Sequence, residues 1–172
     1  MAQQAFWYIL PSILVFLASY IVLKTFLDRE KAQLKLKLNI ENSKRLIPLR
    51  LQAYERLVLL MERISPQLLI PRVFKKDLTP EKFHYLLIQN IKQEYEHNLS
   101  QQIYVSDDVW NAVRDAKENI IRLINTISSD PKYNDNIQKM SRLIIEAYSS
   151  VDETPTDRAI KLIKNELQEI FG

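Results

Sequence analysis

Two four-residue patterns contain both histidines of the chain: Glu81-Lys-Phe-His84 and Glu94-Tyr-Glu-His97. Glu-x-x-His places a carboxylate and an imidazole on one helix face, as in carboxylate-bridged di-iron bundles, where the two motifs come from different helices that face each other. Here both fall on one expected helix, 13 residues apart. That separation is about 20 Å along the axis and roughly 220° around it. The two motifs cannot share an ion within one chain, so no metal and no cofactor is expected.

Three polar residues of the same segment, Asn90, Glu94 and His97, fall inside its apolar arc. Buried polar groups need partners. One reading is an interhelical hydrogen-bond network with Gln101 and Gln102 in the following connector. The other is a pocket for a ligand or partner, with Glu94 and His97 as acid and base at its mouth. Spacing does not decide between them. Arg50 also lies on an apolar arc, in the first turn of a helix, where the dipole disfavours a cation. It is expected to pair with a carboxylate from another helix, or to meet a lipid phosphate.

Other chemistries are excluded by composition. The 172 residues include no cysteine and a single glycine, Gly172. Without cysteine there is no disulfide framework, thiolate nucleophile or Cys-based zinc site. Phosphate-cradling loops, dinucleotide fingerprints and nucleophile elbows all need glycine where the backbone turns sharply or approaches a ligand. No Asn-Gly or Asp-Gly pair is present to build a tight hairpin, which argues against a β-rich fold.

The elements that would hold these residues are helices. Pro48 is expected to open a helix ended by Ser65-Pro66, with Leu49, Leu51, Ala53, Leu57, Val58, Leu60, Met61 and Ile64 on an arc wide enough for packing on two sides. Thr79 and Pro80 start the next helix, and Gln101 to Val105 reads as an extended connector. Ser106 caps a third, whose inner face is Trp110, Val113, Ala116, Ile120, Ile121, Leu123, Ile124 and Ile127. A fourth presents Ile137, Met140, Leu143, Ile144, Ala147 and Tyr148. The fifth opens at Thr154 with Asp157 three residues on, a relative of the capping box, and turns Ile160, Ile163, Leu167, Ile170 and Phe171 inward. The expected class is all-α: a bundle of about five amphipathic helices over 48–172.

The N-terminal part is different. Ala5 to Leu23 contains no charged residue, and 19 residues of helix span roughly 28 Å, close to the hydrocarbon thickness of a bilayer. A cleaved export signal would carry basic residues ahead of the run and a small-x-small site after it, and neither is present. Phe6, Trp7 and Tyr8 suit one interface, Lys24 can snorkel at the other, and Pro11 is tolerated near the start. Ala5, Ser12 and Ser19 align small residues on one face, a weak contact signal. The reading is a transmembrane anchor over 1–27, a basic juxtamembrane helix or linker over 28–47, and the helical domain over 48–172.

Residues 24–63 carry ten Lys/Arg against five Asp/Glu, while residues 64–172 carry fourteen against sixteen. Positive flanks stay in the cytoplasm, which places the N-terminus outside and the domain inside, at the inner membrane. Lys24, Arg29, Lys31, Lys35 and Lys37 are candidates for anionic headgroup contact. A net acidic domain does not suit nucleic acid.

The stretches "IPLRLQAYERLVLLMERISPQLLIPR" and "YEHNLSQQIYVSDDVWNAVRDAKE" resemble an uncharacterised family of small single-span proteins from Bacteroidota, a domain of unknown function. The likeness covers most of the chain, including the anchor and the basic segment after it. It implies the architecture and supplies no catalytic residues. The resulting expectation is a non-enzymatic, membrane-tethered interaction protein whose partners are the bilayer and another protein, with a homo-oligomer as a further option. The competing readings are an enzyme or ligand-binding protein using Glu94 and His97, and anionic-lipid binding through the basic segment.

Overall fold

The computed structural model describes residues 2–132 and 136–171, with side chains given for all of these except 2–12, 39, 42, 43 and 171. Among the described residues there are seven helices and no strand: α1 (Ala2–Ile64), α2 (Pro66–Val73), α3 (Pro80–His97), a 3-10 helix (Leu99–Ile103), α4 (Asp107–Ser128), α5 (Ile137–Ser149) and α6 (Pro155–Phe171). The chain divides into two units, Met1–Ile47 and Pro48–Gly172.

In the first unit the backbone is helical throughout Ala2–Ile47. Every described side chain between Ile13 and Ile47 is exposed. Leu34, Leu36, Leu38 and Ile40 recur every second residue, which on a helix scatters them onto opposite sides, and all four are exposed. Among the described residues no helix is long and apolar enough to cross a membrane. The uncharged run begins at Ala5, however, and its members up to Ser12, with Phe6, Trp7, Tyr8 and Pro11, lie outside the residues with described side chains. Eleven of its nineteen positions, Ile13 to Leu23, are described.

Pro48 does not open a new helix. α1 runs through it, although an interior proline removes the hydrogen bond to the carbonyl four residues earlier, here that of Lys44. Pro48 and Lys44 are both exposed, so water can take the freed carbonyl.

The second unit is built around α4, which lies against α3, α5 and α6, while α2 packs on α3 and α5. Its inward row is Val109, Val113, Ala116, Ile120, Ile124 and Ile127. The C-terminal part of α1 adds Ala53, Leu57, Leu60, Met61 and Ile64, all at most 1% exposed. Burying each large side chain of this set contributes roughly 1.5–3 kcal/mol. Leu49 and Leu51, expected inside, are exposed, and Tyr54 is buried instead. The inner arc is therefore narrower at its N-terminal end than the hydrophobicity pattern implies.

The helix starts follow local chemistry. Thr79 Oγ1 accepts the Lys82 N–H, Ser106 Oγ accepts that of Val109, and Asn136 Oδ1 accepts those of Gln138 and Lys139. At α6, Thr154 Oγ1 accepts the Asp157 N–H at 3.2 Å and Thr154 N–H reaches Asp157 Oδ2 at 3.4 Å, the reciprocal pair of a capping box. Its inner face holds Ala159 and Ile163, with Ile160 and Leu167 partly buried, while Ile170 is exposed and the Phe171 side chain lies outside the description.

Two further expectations need correction. Pro66 does more than stop α1: it occupies the first turn of the short α2, which buries Leu69, Ile70 and Val73. The stretch after α3 is not extended. Leu99–Ile103 forms a 3-10 helix, whose tight turns bury Gln101 and leave Gln102 and Ile103 outside.

Candidate functional site

The polar centre of the second unit is assembled from α1, α4 and α6. Tyr54 on α1, 1% exposed, donates its hydroxyl to Glu166 Oε1 on α6 at 2.6 Å. The same oxygen accepts the Ser106 N–H at 3.0 Å, and the Ser106 hydroxyl donates to Glu166 Oε2. Arg50, one turn before Tyr54, places Nη2 3.6 Å from Glu166 Oε1 and 3.2 Å from Tyr54 Oη. Its Nε donates to the Tyr104 carbonyl at 3.0 Å, just beyond the 3-10 helix. Glu166 thus lies at the N-terminus of α4, where the dipole favours negative charge.

The electrostatics follow from this geometry. Burial alone would raise the Glu166 carboxyl. The hydrogen bonds from Ser106 and Tyr54, with the Arg50 charge, outweigh it and hold the group below its ordinary value. Burial pushes the Tyr54 hydroxyl up to about 12, reinforced by the neighbouring carboxylate. The cluster joins α1, α4 and α6, and Arg50 matches the charge of Glu166.

The polar residues of α3 do not meet as a network. Asn90 Nδ2 donates to the Leu86 carbonyl on its own helix at 2.8 Å. Glu94 pairs with Arg63 of α1 at 3.0 Å. His97 is exposed, and Gln101 is buried with its amide donating to the hydroxyl of Ser100. The reading of Asn90, Glu94, His97, Gln101 and Gln102 as one buried cluster is therefore corrected. α3 ends at His97, and the chain turns away there before its last residues can be covered. Beside this region Tyr95 stacks on Trp110 with centroids 5.4 Å apart, and the Lys117 ammonium lies 4.4 Å from the Tyr95 ring.

The Glu-x-x-His motifs are also separated. His84 Nε2 donates to Asn125 Oδ1 on α4 at 2.8 Å, at a cleft of about 320 Å³ that also involves Glu81, Ser128 and Met140. Among the described residues no group of three or more His, Asp and Glu side chains could hold a metal ion.

A concavity of about 910 Å³ forms a groove between α4 and the turn leading into α6. Asp108, Asp115 and Glu118 rise from α4, and Asp152 and Glu153 from the turn, against Arg122 and Arg158. Sequence reading passed over this surface because each residue sits on an ordinary polar face. The signal was there: Asp108, Asp115 and Glu118 repeat at helical spacing. Glu166 was equally missed, though it lies at the edge of its helix's apolar arc, about 20° from Ala159 on a helical wheel.

Fold and surface define an all-α protein: a helical domain that follows a long exposed helical segment. The chain belongs to a family of unknown function (DUF7935), whose model matches residues 2–170. No curated protein and no solved structure matches it.

Proposed function

We propose that this protein is a non-enzymatic interaction module of the inner membrane, held by a single N-terminal helix, with its helical domain in the cytoplasm. The observation that carries the reading is the uncharged run Ala5–Leu23 followed by ten Lys/Arg between residues 24 and 63. Its described part supports it: the large apolar side chains from Ile13 to Leu23 are 54–73% exposed, a state that hydrocarbon accommodates and water does not. The single-span nature and the Bacteroidota origin suggested by resemblance belong to this reading. Headgroup contact by Lys24, Arg29, Lys31, Lys35 and Lys37, all exposed, is the competing use of the same segment. Engagement of Glu94 by Arg63 favours this reading over the acid-base alternative.

Two measurements test it. The native protein should remain in the membrane pellet after alkaline carbonate extraction. A reporter enzyme active only outside the cytoplasm, fused after Gly172, should be silent. Release by carbonate would refute the anchor, and an active reporter would refute the orientation.

A further inference from the structure

We infer that the acidic groove of one copy receives the basic helix 24–47 of a second copy, so that the protein self-associates through a helix-in-groove contact. This names a partner for the interaction module proposed above and rests on that reading.

The groove has the shape such a contact needs. Ala112 on α4 is small and half-buried and lets a second backbone approach closely, while Val151 and Leu162 supply exposed apolar edge. Five carboxylates line it against two arginines. Arg158 is itself engaged by Glu153 at 3.5 Å and Glu118 by Lys117 at 3.7 Å, so Asp108 and Asp115 carry the unmatched charge of α4.

The complement is present in the same chain. Residues 24–47 carry seven Lys/Arg against three Asp/Glu, and their leucines are exposed, with Leu34 at 59% and Leu38 at 52%. Lys24, Lys31 and Lys35 are seven and four residues apart, which keeps them within about 20° of one line along a helix. Asp108, Asp115 and Glu118 are seven and three apart on α4. Two parallel helices can therefore bring Lys24 and Lys31 into register with Asp108 and Asp115 over roughly 10 Å, with Leu34 and Leu38 on the side of Ala112. Opposite charges at matched spacing select register and partner more than they add raw affinity.

The absence of cysteine makes the test clean. Two differently tagged full-length copies, one carrying Lys31→Cys and the other Asp115→Cys, are co-expressed and oxidised. A disulfide between the two tags is expected, and Lys92→Cys in place of Lys31→Cys should give none. Separately, Asp115→Lys with Glu118→Lys should weaken self-association of the detergent-solubilised protein at least tenfold in sedimentation. Mixing that variant with Lys31→Glu/Lys35→Glu should restore it. These positions are exposed, and unchanged circular dichroism confirms that folding is intact. No inter-copy disulfide, a disulfide only when both cysteines sit in one copy, or association indifferent to charge reversal would each overturn the proposal. Carbonate extraction of the same variants reads the membrane anchor independently, so the two failures are distinguishable.

Discussion

Tyr54 Oη and Glu166 Oε1 lie 2.6 Å apart across 112 positions of chain, joining α1 to α6. Ser106, at the start of α4, bonds both oxygens of the same carboxylate. One side chain therefore ties together the helix that enters the domain, the helix that closes it and the central helix between them. The consequences can be measured.

Glu166→Ala strands the Tyr54 hydroxyl, the Ser106 N–H and the Arg50 guanidinium together, and should destabilise the domain by about 2–3 kcal/mol. Tyr54→Phe removes one hydrogen bond to a charged acceptor and should cost about 1.5 kcal/mol. The double variant should fall short of the sum by roughly 1 kcal/mol, because the two groups are in contact. Urea titrations of the four proteins decide it, and full additivity would mean that the two residues act independently.

The junction also sets a pH dependence. Glu166 binds its proton at lower pH when folded than when unfolded. Its contribution is present above the unfolded value of about 4.3 and is lost as pH falls through the lower folded value. Tyr54 behaves in the opposite sense: its contribution is complete below about 10 and is lost as pH rises toward about 12. Stability against pH should therefore decline at both ends. Glu166→Gln should flatten the acid limb and Tyr54→Phe the alkaline limb. An unaltered acid limb in Glu166→Gln would assign that limb to other carboxylates.

His97 is exposed, so His97→Leu should change stability by no more than about 0.5 kcal/mol. A loss of 1–3 kcal/mol, the cost of stranding a buried partner, would show that His97 is buried in solution. Arg63→Ala should cost at most about 1 kcal/mol, since its pair with Glu94 faces solvent.

The unit Pro48–Gly172 contains the buried cluster from Tyr54 to Ile163. A fragment of these residues should fold alone, with a strongly helical far-UV spectrum and a single cooperative melt. A gradual, non-cooperative melt would show that the preceding helix is required.

The sequence by itself determined what depends on neighbours within a few residues. Thr79, Ser106 and Thr154 marked three helix starts because a cap acts over three residues. The 3.6-residue period placed Val113, Ile120, Ile124, Met140, Ile144 and Ile163 inside for the same local reason, and missing glycine removed whole classes of active site. Tertiary structure alone decided which polar groups meet. Arg50 announced its need for a partner, but which of 21 acidic residues would answer depended on how α6 lies against α1 and α4. Asn90, Glu94 and His97 shared an arc on paper, yet an arc is buried only where another helix covers it, and at His97 the chain has already turned. The groove is the same lesson in reverse. Asp108, Asp115 and Glu118 repeat along α4, but Asp152 and Glu153 joined them in one surface only when the turn before α6 folded against α4.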